Sequence, residues 1–427
     1  MDLIKNCGQL VDYAGDSTAG VICKSLERAV NAVHPSYCVG RYLATDAGAR
    51  FASSLRGADS VCAGGGKASA QMAVALTEAG ILPNHGQINC SIEGKIGGVV
   101  LKKCSHPLPD DSTVKKTDDC IGMLLDSDDS AHIVFLLSGG ASSMLSSPAD
   151  FAGLERKRAI SERMMLAGAS ISEVNCVRRH LSKIKGGKLS RMSHPRRVTT
   201  LIISDIVGNR LEDIGSGPTS HDPTTSRDAL ALMRKYGTIE LIAGLEEAFL
   251  SPVNETVKQG SPALSMTTNT IIADSSTAVA SAVEAASAGG HNAVASGISL
   301  TGEADSEAVS FVENARKKLN GPGMFVAGGE VLVRVGRKGD GGRCQHFALL
   351  CAKHLRKGEY VAAFATDGKD GNTAAAGGLV SAADDGQDYL DSFESGRYFA
   401  MNHTAIYTGD TGTNVADVYI YFRKNNQ

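Results

Sequence analysis

The most constraining feature of this sequence is a repeated order in which a short apolar run is followed at once by a polar or glycine-rich segment. The apolar runs that predict buried strands are residues 60–63, 133–137, 198–203 and 361–365. Within one to four residues of their ends lie, in turn, Lys67, Ser138-Gly139-Gly140, Asp205 and Asp367. Because α/β folds bind ligands at the carboxyl edge of parallel strands, we expect these polar residues to converge.

Strand-like and helix-like stretches alternate along the whole chain, which predicts an α/β fold with mostly parallel sheets. At 427 residues the chain is long enough for two domains. Residues 251–265 contain two Ser-Pro steps and Gly260 but little apolar periodicity, so we expect a domain boundary there. The predicted domains are residues 1–250 and residues 265–427.

Composition and charge exclude several classes of function. The net charge is −3 and no basic stripe is interleaved with aromatic residues, which argues against a nucleic-acid-binding protein. The ten cysteines are scattered without a CxxC pair, which argues against a zinc site or a redox dithiol. We find no signal peptide and no apolar run of the ~18 residues that a membrane span needs, so we expect a cytoplasmic protein without a membrane partner.

The segment Gly64-Gly65-Gly66-Lys67 follows a predicted strand and precedes a predicted helix. Backbone N–H groups, a positive helix end and a lysine are suited to holding a phosphate, although an ordinary strand-to-helix turn is the alternative. The segment is no Walker A loop, and it matches the dinucleotide fingerprint GxGxxG only in part, because Ser69 stands at the third glycine.

A second glycine-rich segment spans residues 328–350. Alternating valines predict a strand over residues 330–335, and four glycines then precede Arg343 at the start of an apolar, helix-like run. This order of strand, glycine loop and arginine is again suited to binding an anion. A tight turn with a solvated arginine is the alternative.

Further charged residues are candidates for binding or catalysis. Asp205 follows three apolar residues, where a carboxylate is costly unless it is paired, binds a metal or caps a helix. Arg178 and Lys185 lie on the polar stripe of one long helix predicted to begin at residue 172. These cations either bind a ligand or extend along the helix surface so that their charged ends reach water. Asp367 lies in a loop suited to a cation, to hydroxyl groups or to a simple turn. Together these groups favour phosphoryl transfer, which needs cations, a metal-binding carboxylate and a base.

The chain resembles the class II glycerate 2-kinases, whose C-terminal part is the MOFRL domain. The resemblance covers nearly the whole length, and the matching stretches are, in order, GGGKASAQMA, LSGGASSML, SEVNCVRRHLSKIKGGKLS, ISDIVGNRLEDIGSGPT, GGEVLVRVGRKGDGGRCQHFALL, ATDGKDGNTAAAGG and TGTNVADVYI. It implies an N-terminal Rossmann-like α/β/α domain, a smaller C-terminal α/β domain and an interdomain cleft. It also implies ATP- and Mg²⁺-dependent phosphorylation of D-glycerate on the 2-hydroxyl. A homodimer is compatible with the sequence.

By this resemblance the family's catalytic lysine, aspartate and arginine fall on Lys67, Asp205 and Arg343, with Asp205 as the base or the Mg²⁺ ligand. We expect the nucleotide and substrate to be bound by Gly64, Gly65, Gly66, Ser138, Gly139, Gly140, Arg178, Lys185, Glu330 and Asp367. The chain departs from the family pattern at Asn209, Cys344, His346 and Asn372. The alternative functions are an NAD(P)-dependent hydroxypyruvate reductase and a non-catalytic binding protein.

Overall fold

The computed structural model describes residues 3–337 and 339–425, and its internal contacts divide the chain into two compact units. One unit is Val39–Ile272, and the other joins Met1–Cys38 to Ala273–Gln427. The domain boundary expected at residues 251–265 stays a prediction, and in this division Met1–Cys38 joins the C-terminal part. The reason is that the helix Thr18–Val33 buries its apolar face against the helix Ser275–Ala288, a pairing distant in sequence.

The secondary-structure elements are numbered in chain order. The helices are α1 (Cys7–Ala14), α2 (Thr18–Val33), α3 (Pro35–Leu43), α4 (Asp46–Leu55), α5 (Ser69–Glu78), α6 (Asp111–Leu125), α7 (Ala141–Met144), α8 (Gly153–Leu166), α9 (Ile171–His180), α10 (Lys188–Ser193), α11 (Ser226–Lys235), α12 (Glu246–Leu250), α13 (Ser275–Ala288), α14 (Ala304–Leu319), α15 (Arg343–Ala352), α16 (Gln387–Asp391) and α17 (Ser395–Met401). The strands are β1 (Ser60–Gly65), β2 (His85–Cys90), β3 (Gly94–Ile96), β4 (Val99–Lys103), β5 (His132–Leu137), β6 (Arg197–Ile203), β7 (Thr267–Ala273), β8 (Ala293–Ala295), β9 (Gly323–Gly329), β10 (Glu359–Ala365), β11 (Gly377–Ser381), β12 (Ala405–Ile406) and β13 (Asp417–Arg423). Among the described residues, no helix is long and apolar enough to cross a membrane.

The unit Val39–Ile272 is built on a seven-stranded sheet with the order β3-β4-β2-β1-β5-β6-β7. Strands β4, β2, β1, β5 and β6 are mutually parallel, and β3 runs antiparallel to β4. The central strands β1 and β5 are buried along their whole length, as fully covered parallel strands are. The predicted α/β class and parallel sheet are confirmed for this unit.

One central strand of this sheet carries no apolar signal in the sequence. Strand β2 contains Gln87 and Asn89, both buried, and lies between β1 and β4. The Gln87 amide donates to Asn89 Oδ1 at 2.9 Å, and the Asn89 amide donates to Thr117 Oγ1 at 3.1 Å and to the Met144 carbonyl at 3.0 Å. These bonds let polar side chains replace apolar ones inside the sheet, because buried amides are tolerated when they are satisfied.

The second unit contains a six-stranded sheet with the order β12-β11-β10-β13-β9-β8. The prediction of mostly parallel strands is wrong for this sheet, since only the β8–β9 pair among its recorded pairings is parallel. The last strand, β13, inserts antiparallel between β9 and β10, and nothing local in the sequence specifies that insertion.

The predicted strand over residues 330–335 is also wrong. The regular strand β9 ends at Gly329, and the chain beyond it is irregular. The N–H groups of Glu330 and Leu332 donate to the carbonyls of Leu300 and Gly302, at 2.8 and 2.9 Å. The segment with the alternating valines therefore pairs with the loop of residues 300–302 and not with a strand of the sheet.

Candidate active site

In the unit Val39–Ile272, three of the predicted segments lie at one edge of the sheet. Strands β1, β5 and β6 are adjacent and parallel, with Gly65 opposite Leu137 and Leu137 opposite Ile202. Lys67, Ser138–Gly140 and Asp205 follow the carboxyl ends of these strands. The convergence expected from the sequence is present for these three segments.

The glycine loop after β1 packs backbone to backbone against the loop after β5. The Gly66 N–H donates to the Asn89 carbonyl at 3.1 Å, the Lys67 N–H to the Gly139 carbonyl at 2.8 Å, and the Ala68 N–H to Ser138 Oγ at 3.0 Å. A side chain at Gly66, whose φ is 130°, would meet Ser138 Oγ at 2.3 Å. The N–H groups of residues 66–68 therefore hold the two loops together, and phosphate binding by the Gly64–Lys67 segment stays a prediction.

The donors that remain belong to the other loop. Within the described residues, the N–H groups of Gly139 and Gly140 donate no hydrogen bond. Gly140 has a φ of 85° and precedes the short helix α7. A side chain built at this glycine would lie 3.2 Å from the His106 ring and 3.4 Å from Lys67 Cγ. Lys67 and the exposed His106 therefore flank Gly140.

The predicted long helix carrying Arg178 and Lys185 is shorter than expected, because α9 ends at His180. The Ser182 hydroxyl accepts the N–H groups of Ile184 and Lys185, each at 3.3 Å, and the backbone of Lys183 bonds to Ser147. These contacts replace the helical hydrogen bonds. Arg178 and Lys185 consequently lie on different elements.

The two cations nevertheless influence each other across this turn. Lys185 is buried and its Nζ donates to the Gly215 carbonyl at 2.7 Å, while the half-buried Arg178 donates from Nε to Ser161 Oγ at 3.3 Å. Burial lowers the pKa of Lys185 well below its usual range, and the positive charges of Lys157 and Arg178 lower it further.

In the second unit, Arg343 begins helix α15 and makes ion pairs with two acids. Its Nε and a terminal nitrogen lie 2.6 and 3.0 Å from the carboxylate oxygens of the buried Asp417, and its other terminal nitrogen lies 2.7 Å from Glu330. Burial alone would lower the pKa of Arg343, but the ion pair with Asp417 raises it above its ordinary value. Since β13 runs antiparallel to β9 and β10, Asp417 starts at the edge where β9 delivers Glu330 and β10 delivers Asp367.

Asp370 supports the start of α15 from the loop after β10. Its buried carboxylate accepts the N–H groups of Cys344 at 3.0 Å and Gln345 at 2.8 Å. Burial raises the pKa of Asp370 to about 7, although the two N–H donors and Arg343 act in the opposite direction. Asp370 therefore orients the helix that carries Arg343.

Two residues that contact or influence these charged groups were not predicted from the sequence. Asp417 lies in the matched stretch TGTNVADVYI, and an acid directly before an apolar strand was the available signal. Lys157 lies on α8 among other charged residues, and no pattern marks it as buried.

The described residues contain no group of three or more His, Cys, Asp or Glu side chains arranged to hold a metal ion. Mg²⁺ in phosphoryl-transfer enzymes is usually bound through one or two carboxylates, water and the substrate phosphates. The single carboxylate of Asp205 beside the Ser138–Gly140 loop fits that kind of binding.

Family models and known proteins match this chain over most of its length. The family model described as a domain of unknown function, DUF4147, matches residues 21–249, and the MOFRL family model matches residues 323–417. The D-glycerate 2-kinase of Thermotoga maritima is 35% identical over 346 residues, which are 77% of this chain and 81% of that protein. This chain belongs to the MOFRL family of glycerate kinases.

The fold agrees with this glycerate kinase family as well. The crystal structure of the glycerate kinase from Thermotoga maritima superposes with a TM-score of 0.83 at 31% identity, covering 95% of this chain and 99% of that one. A protein of Agrobacterium vitis, provisionally named as a hydroxypyruvate reductase, is 36% identical over 84% of this chain and 86% of its own. The predicted family and its α/β fold are therefore confirmed.

Proposed function

We propose that this glycerate kinase transfers the γ-phosphoryl group of ATP to the 2-hydroxyl of D-glycerate. The observation that carries the proposal is the placement of Lys67, Ser138–Gly140 and Asp205 at one edge of a parallel sheet, in a chain of this family. A lysine, free backbone donors and a carboxylate at one edge are the groups that phosphoryl transfer requires.

Each residue has a proposed role. Lys67 neutralises the transferring phosphoryl group, and the N–H groups of Gly139 and Gly140 donate to phosphate oxygens. Asp205 accepts the proton of the 2-hydroxyl. In the second unit, Arg343, held by Asp417 and Glu330, neutralises the glycerate carboxylate or the phosphate.

The reaction balances as one displacement. A bond forms between the 2-hydroxyl oxygen and the γ-phosphorus while the bond from that phosphorus to the bridging oxygen of ADP breaks. The hydroxyl proton passes to the Asp205 carboxylate, and ADP leaves with the electron pair. Mg²⁺, when bound with ATP, supplies charge neutralisation at the phosphates. Binding of Mg²⁺ by Asp205 is the alternative role of that carboxylate.

The proposal is tested with purified protein, ATP, Mg²⁺ and D-glycerate. We expect ADP release that depends on glycerate, and a product whose ³¹P spectrum, with its coupling to the carbon-bound proton, identifies the 2-phosphate ester. L-Glycerate and glycolate serve as matched substrates that change the configuration or remove the hydroxymethyl group. No ADP release above the glycerate-free background would reject the kinase function.

A reductase function is the second candidate, because the Agrobacterium vitis relative carries that name. The Gly64–Lys67 loop lacks the third glycine of the dinucleotide fingerprint, and its N–H groups bond within the protein. The same preparation is therefore assayed with hydroxypyruvate and NADH or NADPH. Turnover in this assay, with none in the kinase assay, would reverse the order of the two candidates.

A further inference from the structure

Four basic side chains lie near one another inside the unit Val39–Ile272, and the acids Glu255 and Asp222 raise the pKa of one of them, Lys188. Lys157 comes from α8, Arg178 from the end of α9, Lys185 from the turn after it, and Lys188 from the start of α10. Within the described residues, no carboxylate oxygen lies within ion-pair distance of any of the four. Lys185 and Lys188 donate to carbonyls, at 2.7 Å to Gly215 and 2.8 Å to Ser182.

Lys157 is the least satisfied member of this cationic cluster. Its side chain is only 6% exposed, and its Nζ is buried and donates no hydrogen bond within the described part of the chain. Burial, together with the positive charges of Arg178 and Lys188, lowers the pKa of Lys157 to about 7. A buried cation without a partner is costly, so a counter-charge missing from the protein chain is the simplest account of its retention.

One member of the cluster, Lys185, contacts a turn that packs beside the loop with the free backbone donors. Gly215, which accepts the Lys185 ammonium, packs against Leu137 and Ala141, because a side chain at Gly215 would meet those two residues at 3.0 and 3.2 Å. The hydroxyls of Ser216 and Ser142 lie 3.4 Å apart. The turn that Lys185 contacts therefore packs against residues on both sides of the Ser138–Gly140 loop.

We propose that the half-buried Arg178, backed by Lys157 and Lys185, forms a phosphate-binding subsite for the polyphosphate chain of the nucleotide. Arg178 makes the direct contact, and the two buried lysines raise the positive potential behind it in a medium of low dielectric. The inference rests on the proposed kinase function and adds Lys157 as a positioning residue. A ligand with one carboxylate would leave most of the positive charge of the cluster unbalanced. The cluster therefore favours a ligand that carries several negative charges.

The test uses tripolyphosphate as a probe that needs no turnover. Its dissociation constant is measured by calorimetry, at fixed ionic strength, for the wild type, Lys157→Met, Arg178→Met and the matched control Lys183→Met. Lys183 lies in the same turn but pairs with the exposed Asp150 at 2.6 Å. We expect the first two variants to bind at least about 10-fold more weakly and the control to bind as the wild type does.

Thermal unfolding separates this role from a structural one. Removing an unpaired buried charge should raise the melting temperature of Lys157→Met without ligand, while the increase produced by tripolyphosphate shrinks. A merely structural lysine would lower the melting temperature instead. If Lys157→Met does not fold, the binding and unfolding data of Arg178→Met decide between the two roles. Arg178 is only half-buried, so we expect this variant to fold.

The outcomes distinguish the subsite from the kinase function. Wild-type affinity for tripolyphosphate and an unchanged KM for ATP in Lys157→Met and Arg178→Met would overturn the subsite. Loss of tripolyphosphate binding in both variants supports it, even if the wild type proves not to phosphorylate glycerate. A wild type that binds neither tripolyphosphate nor ATP would overturn the subsite as well.

Discussion

Arg343 and Asp417 form a two-pronged ion pair, with the guanidinium Nε and one terminal nitrogen lying 2.6 and 3.0 Å from the two carboxylate oxygens. Asp417 is only 1% exposed, while the arginine side chain is 36% exposed. The carboxylate thus fixes the guanidinium from inside and leaves one terminal nitrogen to Glu330 at the surface. This geometry requires the planar fork of arginine, because an ammonium group cannot make the paired bond.

Arg343→Lys should therefore lower kcat/KM by at least about 10-fold, and Arg343→Ala by at least about 100-fold, a loss of about 2.7 kcal/mol of transition-state stabilisation. Steady-state kinetics with varied ATP and glycerate measures both effects. Arg334→Lys is the control, because Arg334 is 88% exposed and pairs with Glu303 on the surface. Wild-type kinetics for Arg343→Ala with a normal fold would remove Arg343 from the site.

Lys67→Ala should lower kcat/KM by at least about 100-fold, because its ammonium neutralises charge that develops on the transferring phosphoryl group. The loss should appear mainly in kcat. Lys95→Ala, which changes an exposed lysine on β3 of the same unit, should have no effect. An effect confined to the KM for ATP would assign Lys67 to ground-state nucleotide binding.

Asp205→Asn tests whether this carboxylate is a base or a metal ligand. We expect kcat to fall by about 100-fold or more, with an unchanged Mg²⁺ concentration for half-maximal rate. Activity restored at high Mg²⁺ would assign the carboxylate to the metal. Asp129→Asn, at an exposed position, is the matched control.

The buried Lys157 predicts a pH dependence of stability. Its pKa is about 7 in the folded protein and near 10.5 in the unfolded chain, so the unfolded state binds the extra proton between these values. The free energy of unfolding of the ligand-free wild type should therefore rise with pH from about 7 to about 10.5, relative to Lys157→Met, by at most about 1.4 kcal/mol per pH unit. Urea unfolding across this range measures the difference. Parallel curves for the two proteins would contradict the lowered pKa.

Gly66→Ala should lower the free energy of unfolding by at least about 2 kcal/mol, because the new methyl group would meet Ser138 Oγ at 2.3 Å and the Ser138 carbonyl at 2.5 Å. Gly122→Ala is a matched control, since Gly122 lies within α6 with nothing near its missing side chain. That change should stabilise the protein by roughly 0.5–1 kcal/mol. Equal stability of Gly66→Ala and the wild type would show that the two loops can separate.

Residues that follow buried apolar strands were placed correctly from the sequence. Lys67, Ser138 and Asp205 were expected at one edge of a parallel sheet, and the structure has them there. This prediction succeeded because a buried strand leaves a local signal, and because parallel strands deliver their carboxyl ends to the same edge. The functional roles of these residues stay predictions.

Contacts between distant segments were not predictable in the same way. Asp417 as the partner of Arg343, and Lys157 as a neighbour of Lys185, depend on which elements pack together. The end of α9 at His180 likewise depends on Ser147, which lies far from it in sequence. Helical periodicity continued through Lys185, but tertiary hydrogen bonds overruled it.

The sequence by itself determined the α/β class, the glycine loops and the order of the polar segments, because burial and close backbone contact leave their marks on neighbouring residues. Only the tertiary structure decided the antiparallel second sheet, the two-pronged pair at Arg343 and the cationic cluster around Lys157. The physical reason is that strand insertion and charge burial are set by contacts between residues far apart in the chain, and no local pattern records them.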